Sequence, residues 1–240
     1  LKKKGACFGQ AAAFERPMWY ALNGNKPEYE YSFGYQNWYE SAKHETKSAR
    51  DDVAFFELTP FAKFEIEGEA AFSSLQYLCA NNIKNTPGST TYTQMLNEQG
   101  GIEADLTITC MAKNYFRVVS GSTVREHDKK HILKHLNENV KFTDITDNFA
   151  CFGIFGPKSR KLLTEIVGDE FDNEQFSFGT GKLLKLKDVS IWFQRLSYVG
   201  ELGWELYIPM DQTNKIYELI DSVGKKYNLV HAGAHAMDIM

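Results

Sequence analysis

Residues 92–107 read Tyr92-Thr-Gln-Met-Leu-Asn-Glu-Gln-Gly-Gly-Ile-Glu-Ala-Asp-Leu-Thr107, and the turn at their centre decides how the flanking chain is read. Residues 92–96 and 104–111 are strand-like, and the joint Asn97-Glu98-Gln99-Gly100-Gly101 ends in paired glycines, which supply the positive φ that a tight hairpin requires. A third strand at 115–120 makes a meander. Upstream, residues 53–56 and 61–66 are β-like, the second run alternating Phe64 and Ile66 against Lys63, Glu65 and Glu67. Gly68 ends that run before a helical stretch at 69–80. Downstream, Ser122 is placed to cap a helix reaching about residue 137, with Ile132, Leu133 and Leu136 on one face. Strands at 142–145 and 150–155 follow.

The pattern then begins again. Gly156-Pro157 opens a helix over 158–167, strands follow near 182–186, 189–196 and 204–208, and a last helix starts at about 211 with Ile216, Leu219, Ile220 and Val223 as its apolar stripe. The fold class is therefore α+β: two successive α+β units, about 51–148 and 149–240, with antiparallel sheets packed against helices. Residues 1–50 are rich in aromatics but poor in periodicity, and they read as a connector that wraps another surface.

Composition narrows the function. The 240 residues are 43% hydrophobic and 24% charged with a net charge of −4, which suits a folded core and gives no diffuse basic field for nucleic acid. No run of about 18 apolar residues is present to span a membrane, and nothing at the start resembles a signal peptide. Cys7, Cys79, Cys110 and Cys151 lie far apart with no CxxC pair, so neither a zinc ribbon nor a redox motif is expected, and they read as thiols of a reducing compartment. Gly179-Thr-Gly-Lys182 lacks the upstream glycine and the Ser/Thr of a phosphate loop; no G-x-G-x-x-G and no G-x-S-x-G occur. His127, His131 and His135 recur at helical spacing but are interleaved with Glu126, Asp128, Lys129, Lys130 and Lys134, the pattern of a solvated face, so no metal is assigned. His231 and His235 repeat the spacing among Ala and Gly, as a packed helix start would.

Two carboxylates keep unusual company. Asp105 lies in Ala104-Asp-Leu-Thr-Ile-Thr109 directly after the Gly100-Gly101 turn, and Glu205 lies in Gly203-Trp-Glu-Leu-Tyr207 after a Gly-rich turn. Each is either a charge pointing to water or a buried group that needs a partner.

These segments together resemble the tetrahydrofolate-binding region shared by the glycine cleavage T-protein (aminomethyltransferase) and the C-terminal part of dimethylglycine and sarcosine dehydrogenases, and the resemblance spans most of the chain. Residues 92–107 are similar to that family's hairpin with its catalytic aspartate, and Tyr198-Val-Gly-Glu-Leu-Gly-Trp-Glu-Leu-Tyr207 is similar to its pterin-binding strand. Gly5-Ala-Cys-Phe-Gly9 with Glu15-Arg-Pro-Met-Trp-Tyr20 resembles the linker that joins the flavin and folate halves of the dehydrogenases.

The resemblance implies a T-protein-like folate-binding domain over 51–240, truncated at its C-terminus, with residues 1–50 as the connector from a missing flavin domain. It implies Asp105 as the catalytic residue, managing the proton on a folate nitrogen, Glu205 as the carboxylate that grips the pterin, and Tyr92 and Tyr198 as lining tyrosines. The cofactor implied is tetrahydrofolate, with FAD only in the missing N-terminal half. The partners implied are folate, a small N-methylated amine of the dimethylglycine or sarcosine type or its iminium, and a flavin domain in cis or in trans. The product would be 5,10-methylenetetrahydrofolate, made in the cytoplasm or, in a eukaryote, in the mitochondrial matrix. An arginine beyond Ala236-Met-Asp-Ile-Met240 and a C-terminal barrel domain, both expected in the family, are not reached. Two alternatives keep the fold: a non-catalytic regulatory subunit like that of pyruvate dehydrogenase phosphatase, and a folate-dependent demethylase or methyltransferase.

Overall fold

The computed structural model describes residues 1–11, 14–22 and 24–240. They form two compact units, one of residues 1–58, 150–178 and 183–240, the other of residues 59–149 and 179–182.

The first unit begins with strands β1 (Ala6–Ala11) and β2 (Phe14–Tyr20), paired antiparallel as a separate ribbon, followed by helix α1 (Tyr39–Asp51) and strand β3 (Val53–Glu57). The segment read as a connector thus carries a ribbon and a 13-residue helix. The reason α1 escapes a hydrophobic reading is visible in its buried face: Ser41, Ala42, Glu45, Ser48 and Ala49 have perfect helical spacing but no large apolar side chain.

The second unit is built on a five-stranded antiparallel sheet. Its strands are β4 (Ala62–Glu67), β5 (Thr90–Leu96), β6 (Ile102–Ala112), β7 (Tyr115–Ser120) and β8 (Lys141–Asp144), in spatial order β5-β6-β7-β4-β8. Helices α2 (Ala71–Leu78) and α3 (Arg125–His135) supply Leu75 and Ile132 to a core with Phe64, Ile66, Met95, Leu106, Ile108 and Phe116. Only the first of the paired turn glycines takes the left-handed conformation, Gly100 at φ +78°; the second is required by space, since a Cβ on Gly101 would come within 2.9 Å of the Asn97 amide. Ser122 does not cap α3 but opens a short 3-10 turn, and the helix starts at Arg125 with no side-chain cap. Lys63, expected outside with Glu65 and Glu67, is fully buried; its ammonium donates to the carbonyls of Thr59 (2.9 Å) and Phe61 (2.8 Å), which offsets the cost of burying the charge.

The chain then returns to the first unit with β9 (Phe149–Phe155), α4 (Ser159–Val167), β10 (Gly181–Leu186), β11 (Val189–Gln194), β12 (Gly203–Pro209), α5 (Thr213–Gly224), β13 (Leu229–Ala232) and α6 (Ala234–Ile239). These strands and β3 form a six-stranded sheet, β10-β11-β12-β9-β3-β13, antiparallel at β3–β9 and β11–β12 and parallel at β13–β3. Phe55, Phe152, Ile154, Phe193, Trp204 and Leu206 face α4 and α5, which bring Leu162, Leu163, Ile216 and Ile220. A division of the sequence near residue 148 puts β3 with the preceding residues, whereas in the structure it pairs with β9 and β13. Short runs such as 53–57 show their strand character locally and their partners only through the register. Among the described residues, no helix is long and apolar enough to cross a membrane.

One buried carboxylate ties the N-terminal segment to the last strand and helix of this unit. Glu45 of α1 is 1% exposed and accepts the backbone N–H of Tyr20 at 2.6 Å and that of Gly233 at 2.9 Å. Gly233 is needed there, because a Cβ would lie 2.3 Å from the Met18 backbone. Burial pushes the Glu45 carboxyl up to about 7, with the two N–H donors pulling the other way. Because the folded-state value lies above the unfolded one, near 4.5, the folded chain binds more protons between those limits, and this group's contribution to stability falls as pH rises from about 4.5 to about 7. A glutamine does not titrate. The difference in melting temperature between Glu45→Gln and the parent is expected to move in the variant's favour from pH 5 to pH 8, by the equivalent of ~1–3 kcal/mol; a difference that stays constant with pH would show that the carboxyl does not titrate in this range.

Candidate functional site

The two pairs of residues named from the sequence each belong to an antiparallel hairpin of their own unit. In the second unit, β5 and β6 pair so that Gln94 lies across from Asp105 and Tyr92 across from Thr107. Alternation sends Met95, Ala104, Leu106 and Ile108 into the core and leaves Tyr92, Gln94, Asp105 and Thr107 on the other face. Tyr92 is 59% exposed, and Asp105 is exposed as well, so it is not desolvated within this unit. The Gln94 amide donates to Asp105 Oδ1 at 3.0 Å and orients the carboxylate. The turn is held by Asn97, whose Oδ1 accepts the N–H groups of Gln99 (3.1 Å) and Gly101 (2.8 Å) while its amide donates to Glu103 (2.8 Å). The face therefore offers a hydrated carboxylate of fixed direction beside an aromatic ring with a hydroxyl, a set suited to proton exchange with a ligand nitrogen.

In the first unit, Glu205 lies on β12 across from Gln194 of β11, and Tyr207 across from Trp192. Trp204 and Leu206 between them belong to the core. Glu205 is half-buried, and its Oε2 accepts the Tyr207 hydroxyl at 2.7 Å; the Trp192 indole donates to Gln194 Oε1 at 2.8 Å. The carboxylate thus stands among donors, as an acceptor for a ligand with adjacent N–H groups would. Tyr198, in the connection between the two strands, is 62% exposed.

That connection also encloses a cavity of about 240 Å3, lined by Phe178, Arg195, Ser197, Glu201, Leu202 and Gly203 rather than by Tyr198 itself. Its walls are braced from two sides. Arg50 pairs with Glu201 at 2.9 Å, and the guanidinium groups of Arg160 and Arg195 each lie 5.6 Å from the centre of the Trp204 ring. The same arginines donate to the carbonyls of Phe171 and Phe176 and share Asn173 Oδ1, at 2.7 and 2.9 Å. The loop of 169–180, the least regular internal stretch of the sequence, is tied in this way to the strand that carries Glu205.

The histidines of α3 do not gather into a metal site. His127 pairs with Glu103 and Asp128, each at 3.1 Å, and His135 Nδ1 meets the carbonyl of His131. Among the described residues no group of three or more His, Cys, Asp or Glu is arranged to hold an ion. All four cysteines are buried thiols that form no disulfide among the described residues. The structure carries Asp105 and Tyr92 on the β5–β6 hairpin, and Glu205 on β12 with Tyr198 in the connection before it; Gln94, Trp192, Gln194 and Tyr207, which lie beside these acids, were not singled out in the sequence. The signal for them was register: Gln94 and Gln194 lie across from Asp105 and Glu205, Tyr207 lies two residues from Glu205, and Trp192 lies across from Tyr207.

The whole chain, residues 1–240, matches the family model described as the GCVT N-terminal domain. It is 35% identical over 239 residues to 4-methylaminobutanoate oxidase (formaldehyde-forming) of Paenarthrobacter nicotinovorans, covering 99% of this chain and 29% of that protein. It is 32% identical over 235 residues to human mitochondrial dimethylglycine dehydrogenase, covering 97% and 27%. The chain thus spans less than a third of the length of these relatives. Among solved structures, glycine cleavage system aminomethyltransferase T from Bartonella henselae superposes with a TM-score of 0.79 at 21% identity, covering 99% of this chain and 58% of that one. With the family match running from first residue to last and the solved transferase sharing its fold, the chain belongs to the GCVT family, as an aminomethyltransferase-like module related to dimethylglycine and sarcosine dehydrogenases.

Proposed function

We propose that this chain is a tetrahydrofolate-binding one-carbon transfer module that captures a methylene unit from an oxidised N-methyl amine as 5,10-methylenetetrahydrofolate. The observation that carries the reading is the Glu205 carboxylate, half-buried on β12 and held by the Tyr207 hydroxyl. A reduced pterin presents an amino group and a ring N–H side by side, and a carboxylate accepts both as a fork, at about 1.5–3 kcal/mol per charge-assisted bond away from water. The Glu205 carboxylate is the acceptor that such an edge calls for. Tetrahydrofolate supplies a nucleophilic nitrogen; the chain supplies orientation through Glu205, aromatic surface through Tyr92 and Tyr198, and a proton acceptor in Asp105.

In this reading Asp105 would take the proton lost when one folate nitrogen adds to the iminium carbon and return it to the amine as that amine's bond to the carbon breaks, general acid–base work of the ~10²–10⁴-fold class. The second folate nitrogen would then bond to the same carbon and release its own proton to solvent. Gln94 keeps one carboxylate oxygen engaged and so aims the other. The oxidised amine, of the dimethylglycine or sarcosine type, comes from a flavin domain in cis or in trans, as the similarity to an N-methyl amine oxidase and to dimethylglycine dehydrogenase supports. The compartment is the cytoplasm, or the mitochondrial matrix in a eukaryote.

Two substitutions separate the roles. Asp105→Ala is expected to abolish methylene transfer in a coupled assay while folate binding stays within about tenfold, ~1.4 kcal/mol; a larger binding loss would contradict the proton-handling role. Glu205→Ala is expected to weaken binding of folinic acid by tenfold or more in a fluorescence titration, and an unchanged dissociation constant would remove the pterin grip assigned to it.

A further inference from the structure

The face of the first unit's sheet that carries Glu205 contains a residue pair the functional reading has not used. Gln194 is 2% exposed, an amide buried directly across the β11–β12 ladder from a carboxylate. Opposed residues of an antiparallel pair have their Cβ atoms about 4.5–5.5 Å apart, so the two side chains share one environment. An amide beside a carboxylate can present either its oxygen, which repels, or its nitrogen, which donates. The neighbour on the same strand decides. Trp192, two residues away on the same face, donates its indole N–H to Gln194 Oε1 at 2.8 Å. An indole is only ever a donor, so the atom it meets must be the amide oxygen, and the nitrogen is left as the group that faces onward.

We propose that Gln194, locked by Trp192, is a positioning residue that donates its amide to Glu205 and, together with Tyr207, holds that carboxylate ionised and aimed as an acceptor. This rests on the assignment of Glu205 as the ligand-gripping group, and it explains how a partly buried acid keeps the charge that such a grip requires. The surroundings allow the assignment to be specific. On this face β12 contributes Glu205 and Tyr207, and β11 contributes Trp192 and Gln194. The neighbouring strand β9 sends Ala150, Phe152 and Ile154 into the core, leaving Cys151, Gly153 and Phe155 on the side of Glu205. Among the residues of β12 and β9 on this face, Tyr207 and Cys151 are the titratable ones. The helices α4 and α5 lie against the opposite face.

The test is the titration of Glu205 itself, followed by NMR of its carboxyl 13C in the ligand-free protein and assigned by its loss in Glu205→Gln. Gln194→Met, nearly isosteric but without a donor, is expected to raise the midpoint by about one pH unit. Gln194→Glu, which places a like charge opposite, is expected to raise it at least as far, and Trp192→Phe, which frees the amide to turn, by an intermediate amount. A role in packing alone would lower the melting temperature of these variants and leave the midpoint where it was. Midpoints within roughly 0.2 of the parent in both Gln194 variants overturn the proposal. Folinic acid titrations separate the two ideas. A moved midpoint with undiminished binding by Glu205→Gln keeps the positioning and overturns the pterin assignment, whereas an unmoved midpoint with binding lost in Glu205→Gln does the reverse.

Discussion

Glu205 stands between Trp204 and Leu206 on a strand in the interior of a six-stranded sheet, and the two-residue period of that strand separates the core from the chemistry. Trp204 and Leu206 must face the helices, because each carries apolar surface worth about 2–3 kcal/mol when buried. Glu205 and Tyr207 must then face the other way. A slip of one residue would drive a carboxylate into the cluster of Phe171, Phe193 and Trp204, at a cost of several kcal/mol, and would expose the indole. Hydrophobic packing on one side of the sheet thus fixes the position of the polar groups on the other, without any of those groups having to stabilise the fold. Gly203, at the start of the same strand, belongs to this arrangement: a Cβ there would lie 2.4 Å from the ring of Phe155.

The parts of the fold legible in the sequence are those where burial uses large apolar residues at a simple period. The meander of β5, β6 and β7, the strands β9 to β12 and the stripe of α5 all declare themselves in this way. What stayed hidden did so for physical reasons. Helix α1 buries small and polar side chains, so its stripe carries no hydrophobic signal. The parallel partnership of β13 with β3 joins residues nearly 180 positions apart, and nothing local marks it. Lys63 breaks the alternation of β4 because three-dimensional neighbours, the carbonyls of Thr59 and Phe61, take the place of water around its ammonium. The same division holds at the site. Asp105 and Glu205 stood out as charges in apolar strands, while Gln94, Gln194 and Tyr207 became visible only once the register put them beside those acids.

The two carboxylates and Glu45 show three solutions to one problem, the placing of a negative charge in a folded chain. Asp105 is left in water, with a single amide, that of Gln94, donating to one of its oxygens. Glu45 is taken out of water altogether and given two backbone N–H donors, yet desolvation outweighs them and its carboxyl is pushed up to about 7. Glu205 lies between these extremes, half-buried, with the Tyr207 hydroxyl as a donor that costs no backbone hydrogen bond elsewhere.

That intermediate position is what a gripping carboxylate requires. In water its bonds to a ligand would replace equally good bonds to solvent, and the net gain per hydrogen bond would be only about 1 kcal/mol. Buried like Glu45, it would take up a proton near neutral pH and present a hydroxyl, which repels the N–H groups it is meant to accept. Partial burial with a side-chain donor suits the proposed role on both counts: the Tyr207 hydroxyl takes the place of part of the lost solvent, and the carboxylate is not withdrawn from water altogether. The acid proposed to exchange protons has the opposite need, since it must gain and lose charge in each cycle. The difference in environment between Asp105 and Glu205 therefore follows from the difference in what each is proposed to do, and the strand register that separates inward from outward residues is sufficient to produce it.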